Sequence, residues 1–158
     1  MTATCFLSVA IIVIIGFLLV PKKLYPFEIL FIWLLFTFLQ VNYIFIVSLN
    51  MERIEYSLQT EKYLSYIVGM FVFNPILIVS MLLAYAASRK PLARIIWIVI
   101  FAALLTGLEY AEDRFGVLTH KDWPVAWSFM IWLGMMLLAA GAHGWYHRIL
   151  SRELKGAL

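Results

Sequence analysis

The sequence predicts an all-α integral membrane protein: a helical bundle of five transmembrane helices, with the N-terminus outside and the C-terminus in the cytoplasm. Three observations predict it. The first is composition. Of 158 residues, 65% are apolar and 13% charged, and the mean hydropathy is +0.95. A soluble domain runs at about 45–50% apolar and about 25% charged, and a soluble chain of this length has too little interior to hide so much apolar surface. The second is that the apolar residues gather into five runs, each near the ~20 residues that cross a ~30 Å hydrocarbon core. The third is the uneven sharing of Lys and Arg between the loops.

The runs cover residues 4–20, 27–49, 64–87, 92–111 and 125–145. The first has 17 residues, short but within the tolerated range. Residues 1–4 carry no basic side chain, and Val20-Pro21-Lys22-Lys23 lacks the small-residue pattern of a cleavage site. The run therefore reads as a retained helix and not as a signal peptide. Lipid offers the backbone no hydrogen-bond partner, so every run must be helical. Together the runs make one domain over residues 1–158, without repeats or low-complexity segments.

Loop charges orient the chain. One face collects Lys22, Lys23, Arg89, Lys90, Arg94, Arg148, Arg152 and Lys155, and the other only Arg53, Lys62, Arg114 and Lys121. Acids run the opposite way. Glu52, Glu55, Glu61, Glu109, Glu112, Asp113 and Asp122 lie on the second face, against Glu28 and Glu153 on the first. The basic face is cytoplasmic by the positive-inside bias. The net charge of +3 thus reports topology and not nucleic-acid binding. The single cysteine, Cys5, excludes an intrachain disulfide. In the loop after the second run, Met51, Ile54 and Leu58 suggest an amphipathic turn on the outer surface.

Interfacial aromatics mark the span ends: Tyr25, Tyr43, Tyr63, Tyr110, Trp123, Trp127, Trp145 and Tyr146. The pairs Ala103/Gly107 and Ala140/Gly144, each four residues apart, offer close-packing seams. Polar residues inside the runs carry more. The second run holds Gln40 and Asn42, and the third holds Asn74-Pro75. Pro75 cannot donate to the carbonyl of Phe71, which predicts a kink. His143 and His147 share a helix face at metal-ligand spacing, but they stand at the cytoplasmic end, where interfacial residues are expected. The densest cluster is Glu109, Glu112 and Asp113, followed by His120 and Asp122. Like charges at this spacing repel, so an ion-pair network with Arg53, Arg114, Lys62 and Lys121 is expected. Glu109, the deepest acid, should face the bundle, with Tyr43, Tyr63, Tyr66, Arg53 or Arg114 as its partner. No Ser-His-Asp or Cys-His motif and no phosphate loop is visible, and no cofactor is implied.

The segment from Asn74-Pro75 to Trp127 resembles a family of small multi-span membrane proteins of endospore-forming bacteria. The resemblance rests on Glu109, Asp113, Arg114 and Phe115, then Trp123 and Trp127. The Pro21-Lys22-Lys23 break and Pro75 also fit it. Asn74 departs from it, since an aromatic is expected there. The resemblance implies a bacterial plasma membrane and a role around sporulation, and no mechanism. The residues favour a non-enzymatic protein that works by associating with the lipid bilayer and another membrane protein or a second copy of itself. A small oligomeric transporter or ion conductor and an intramembrane enzyme are the alternatives.

Overall fold

The computed structural model of the chain describes residues 2–19 and 24–156. The Pro21-Lys22-Lys23 break lies outside the described residues, as do the side chains of Cys5, Glu153 and Lys155. Six helices follow one another: α1 (Thr2–Leu19), α2 (Pro26–Ile44), α3 (Thr60–Val68), α4 (Asn74–Ala87), α5 (Pro91–Arg114) and α6 (Val125–Gly156). Two π-helical turns extend them. One, Phe45–Asn50, continues α2, and the other, Gly69–Phe73, joins α3 to α4 as one rod. Four stretches are long and apolar enough to cross a membrane: Pro26–Asn50, Thr60–Ala87, Pro91–Arg114 and Val125–Arg152. The apolar part of α1, Phe6–Leu19, is shorter.

Each long helix buries one face, on which residues recur every three or four positions, as a 3.6-residue period requires. On α2 the buried face runs Glu28, Ile32, Phe36, Gln40 and Tyr43. On α5 it runs Ile98, Ala102, Leu105, Thr106, Glu109 and Glu112. On α6, Ser128, Trp132, Met136, Ala139 and His143 are buried. Rod α3–α4 is the most enclosed, with Ile78, Val79, Met81 and Leu82 at its centre. Helix α1 lies beside α3, where Ala10 packs with Val68 and Phe73. The opposite faces of α2 and α5 remain apolar and exposed. This arrangement suits lipid and not water.

The proline break differs from the expectation. Pro75 falls in the first turn of α4, inside the continuous rod. The irregularity lies just before it, in the π turn, where the Asn74 N–H donates to the Gly69 carbonyl. The helix absorbs the proline by widening one turn.

The loop after α2 is not an amphipathic helical turn. Ile54–Tyr56 (β1) pairs antiparallel with Leu118–His120 (β2), with Ile54 opposite His120 and Tyr56 opposite Leu118. Ile54 is buried, whereas Leu58 is 97% exposed. Inside-outside alternation at Ile54, Glu55 and Tyr56 is a strand period, and it outweighs the i, i+3, i+7 pattern. A glycine makes the pairing possible. Gly116 has φ +63, its N–H donates to the Asp113 carbonyl, and that of Val117 donates to the Glu112 carbonyl. These two bonds form a Schellman cap. The cap ends α5 and turns β2 back along it.

Of the expected small-residue seams, only Ala140 packs in the core of this chain. Ala103, Gly107 and Gly144 are exposed, and a Cβ on either glycine would meet nothing within 4 Å. Helix α5 packs through the neighbouring positions Ala102 and Thr106 instead.

Candidate functional site

At the ribbon end of the bundle, four elements converge on one carboxylate. Glu109 is 6% exposed. Its Oε1 accepts from Ser128 Oγ at 2.6 Å and from His120 Nε2 at 2.9 Å. The Tyr43 hydroxyl reaches the same oxygen at 3.4 Å. Its Oε2 accepts from Trp132 Nε1 at 2.6 Å. Ser128 in turn accepts from Trp123 Nε1 at 2.9 Å. Ser128 and Trp132 reach the same acid because they sit one turn apart on α6. A buried carboxylate is tolerable only when its lone pairs are answered, and here both oxygens are.

His120 bridges two acids of the cluster. Its Nδ1 lies 3.4 Å from Asp113 Oδ2, and Nε2 faces Glu109. Its backbone N–H also donates to Asp113 Oδ1 at 3.3 Å. The hydrogen bond to Glu109 is the largest influence holding its pKa above the ordinary imidazole value, against the opposing pull of burial. The expected ion pairs form only at the periphery and leave Glu109, Glu112 and Asp113 without an Arg or Lys partner among the described residues. Arg53 pairs with Asp122 at 3.8 Å, and Lys121 pairs with Glu55. Arg114 donates to the Tyr110 hydroxyl at 3.0 Å. Long basic side chains stay where their heads remain hydrated, and the shorter imidazole enters. Of the partners expected for Glu109, only Tyr43 is in place. Tyr63 and Tyr66 are not hydrogen-bonded to it.

Glu112, one turn further along α5, is 9% exposed and has no hydrogen-bond or ion-pair partner among the described residues. It presses on the rod. A Cβ built on Gly69 would meet Glu112 Oε1, so a larger residue there would force the carboxylate to turn away. Both acids line a cavity of about 20 Å³, together with Gln40, Tyr66 and Asn74. Tyr56 also lines it. Burial pushes the hydroxyl of Tyr56 up to about 12, so it stays protonated.

Among the residues singled out from sequence, Glu109, Glu112, Asp113 and Asn74 come together, and Pro75 adjoins them on α4. Asn42 does not join them. It is exposed, and its amide donates to the Phe38 carbonyl of its own helix at 2.7 Å. The i−4 bond satisfies its amide locally, so depth in the run did not imply a bundle-facing role. Sequence reasoning missed Ser128 and Trp132 altogether. The signal was a hydroxyl and an indole one turn apart at the start of the last run.

His143 and His147 stand at the other end of α6. His147 Nδ1 donates to Glu28 Oε1 at 2.6 Å, and Glu28 Oε2 accepts from the Tyr25 N–H at 3.0 Å. The two imidazoles lie 5.8 Å apart. Among the described residues no three of His, Cys, Asp and Glu are grouped to hold a metal ion. His147 thus faces Glu28, whereas His143 is buried and its Nδ1 has no hydrogen-bond partner among the described residues.

Ser128, His120 and Asp113 lie close together, but not as a nucleophilic relay. A relay needs the serine to donate to the imidazole. Here Ser128 donates to Glu109, which occupies the nucleophile's place beside Nε2. The chain matches no protein-family model, no curated protein and no solved structure.

Proposed function

We propose that this chain is a non-enzymatic, multi-pass protein of a bacterial plasma membrane, acting by association with another membrane component or a second copy of itself. In this reading α1 is the fifth span, the ribbon and the Glu109 cluster lie at the outer surface, and the C-terminus is cytoplasmic. The observation that carries association is the outward face of α5. Ala103 and Gly107 lie one turn apart amid exposed Ile96, Ile100 and Leu104, with nothing of this chain above Gly107. Small residues on a lipid-facing helix let a second backbone approach.

The closed state of Glu109 supports a non-enzymatic role, since its oxygens are spent on structural donors. The cavity supports the same view. At about 20 Å³ it has room for about one water-sized body, too little for a solute path. The resemblance to membrane proteins of endospore formers supports a role around sporulation.

The test is co-purification in mild detergent, paired with disulfide cross-linking of Gly107→Cys in a Cys5→Ser background. A cross-linked species in native membranes and a partner or dimer on purification are expected. A lone monomer in both experiments contradicts the proposal.

A further inference from the structure

The second carboxylate differs from the first in having nothing to balance it. Glu109 has His120 and a full set of donors beside it. Glu112 lies beside the same cavity with neither. No basic side chain lines that cavity. What lines it besides apolar groups is oxygen-rich: Gln40, Asn74, Tyr56 and Tyr66. Gln40 is 3% exposed, and its Oε1 has no hydrogen-bond partner. The Tyr66 side chain, more than nine-tenths buried, stacks against Tyr56 with ring centroids 4.3 Å apart. An unpaired buried acceptor next to an unpaired carboxylate is costly. One positive charge with several coordination sites would answer both together.

The backbone adds a donor of the same kind. The π turn sets the register at Asn74 N–H to Gly69 carbonyl. Continuing that register, the next carbonyl, Met70, would accept from position 75, which is proline and has no N–H. Met70 also lines the cavity. Irregular backbone that frees carbonyls beside a cavity is how membrane proteins hold small hard cations.

We propose that this cavity is a binding site for one dehydrated sodium ion, held by the Glu112 carboxylate with Gln40, Asn74 and Tyr66 as neutral oxygen ligands. Size and charge select the ion. A volume of about 20 Å³ takes a body no larger than a water molecule. When ionised, the single unanswered carboxylate balances one charge. Calcium wants six to eight oxygens, usually with several carboxylates, and Glu109 is already spent. Gly69 belongs to the site because it lets Glu112 approach the rod. The ion would tie α2, the α3–α4 rod and α5 together at one point. It is independent of what the protein associates with.

The experiment uses the full chain purified in detergent at fixed pH and ionic strength, with sodium chloride exchanged against choline chloride. The melting temperature should rise with sodium and level off, and radioactive sodium should bind as a single saturable class. Glu112→Gln should lose both responses. Gln40→Met keeps the volume but removes the oxygen, and it should weaken sodium binding. This second variant decides if Glu112→Gln does not fold. A melting temperature that does not change across the exchange would overturn the proposal. A melting temperature that follows pH but ignores sodium would assign the site to a proton and overturn it as well. So would the absence of saturable sodium binding.

Discussion

The indole of Trp132 donates to Glu109 Oε2 at 2.6 Å across the seam between α6 and α5. It is the one hydrogen bond this oxygen receives among the described residues, and both partners are buried. Trp132→Phe keeps most of the ring volume and removes the donor. Hydrogen bonds to charged groups are worth roughly 1.5–3 kcal/mol, and a loss of that order is expected in thermal unfolding in detergent. Glu109→Gln combined with Trp132→Phe should cost less than the sum of the single changes, because both act on one network. Strict additivity would show that the two residues do not share it.

His120 gives the fold a pH dependence with a definite sign. Glu109 and Asp113 face its two ring nitrogens, and its pKa is raised in the folded chain. A group of this kind contributes stability that is full below its unfolded value, about 6.5. That stability is lost as pH rises through the higher folded value. The melting temperature should therefore fall as pH rises above about 6.5. His120→Gln should lower stability on the acid side and flatten the decline. A decline that survives unaltered in this variant would mean another group causes it.

Gly69 should resist substitution for a reason outside its own helix. In Gly69→Ala the new methyl would meet Glu112 Oε1. Overpacking of this kind costs about 1–3 kcal/mol. Shortening the acid in Gly69→Ala/Glu112→Ala should recover much of the loss. If the double variant is as unstable as the sum of its parts, the clash is not the cause.

The ribbon separates two readings of the loop after α2. Ile54 is 2% exposed, so Ile54→Ala should cost about 2–5 kcal/mol. Leu58→Ala should stay within about 0.5 kcal/mol. An amphipathic surface turn would make the two losses similar. Unfolding curves of both variants decide between them.

Much of this was legible in the residues. Composition and run length predicted helices of membrane-spanning length. The spacing of Glu109, Glu112 and Asp113 picked out the cluster, and the expectation that Glu109 must face inward with a polar partner matches its burial. The partners were harder to read. In runs that are apolar on every side, the helical period is hidden, so the inward face of α2 showed only through Gln40, and that of α6, with Ser128 and Trp132, did not show. Trp123 and Tyr43 fitted the interfacial belt so well that their donor roles were obscured. The ribbon was illegible because three-residue strands bring together segments more than sixty residues apart. His120 depends on that pairing, so an imidazole was not foreseen where arginine or lysine was expected.

A membrane-embedded bundle with the ribbon and the Glu109 cluster at its outer end is the central claim. Single cysteines at Leu58→Cys and Ser88→Cys, each in a Cys5→Ser background, test it directly. They are probed in intact cells with a membrane-impermeant maleimide, with denatured samples as controls. Leu58→Cys, in the ribbon loop, should label from outside. Ser88→Cys, between α4 and α5, should label only after the membrane is opened. The reverse pattern would invert the topology, and equal labelling of both sites in sealed cells would contradict membrane embedding itself.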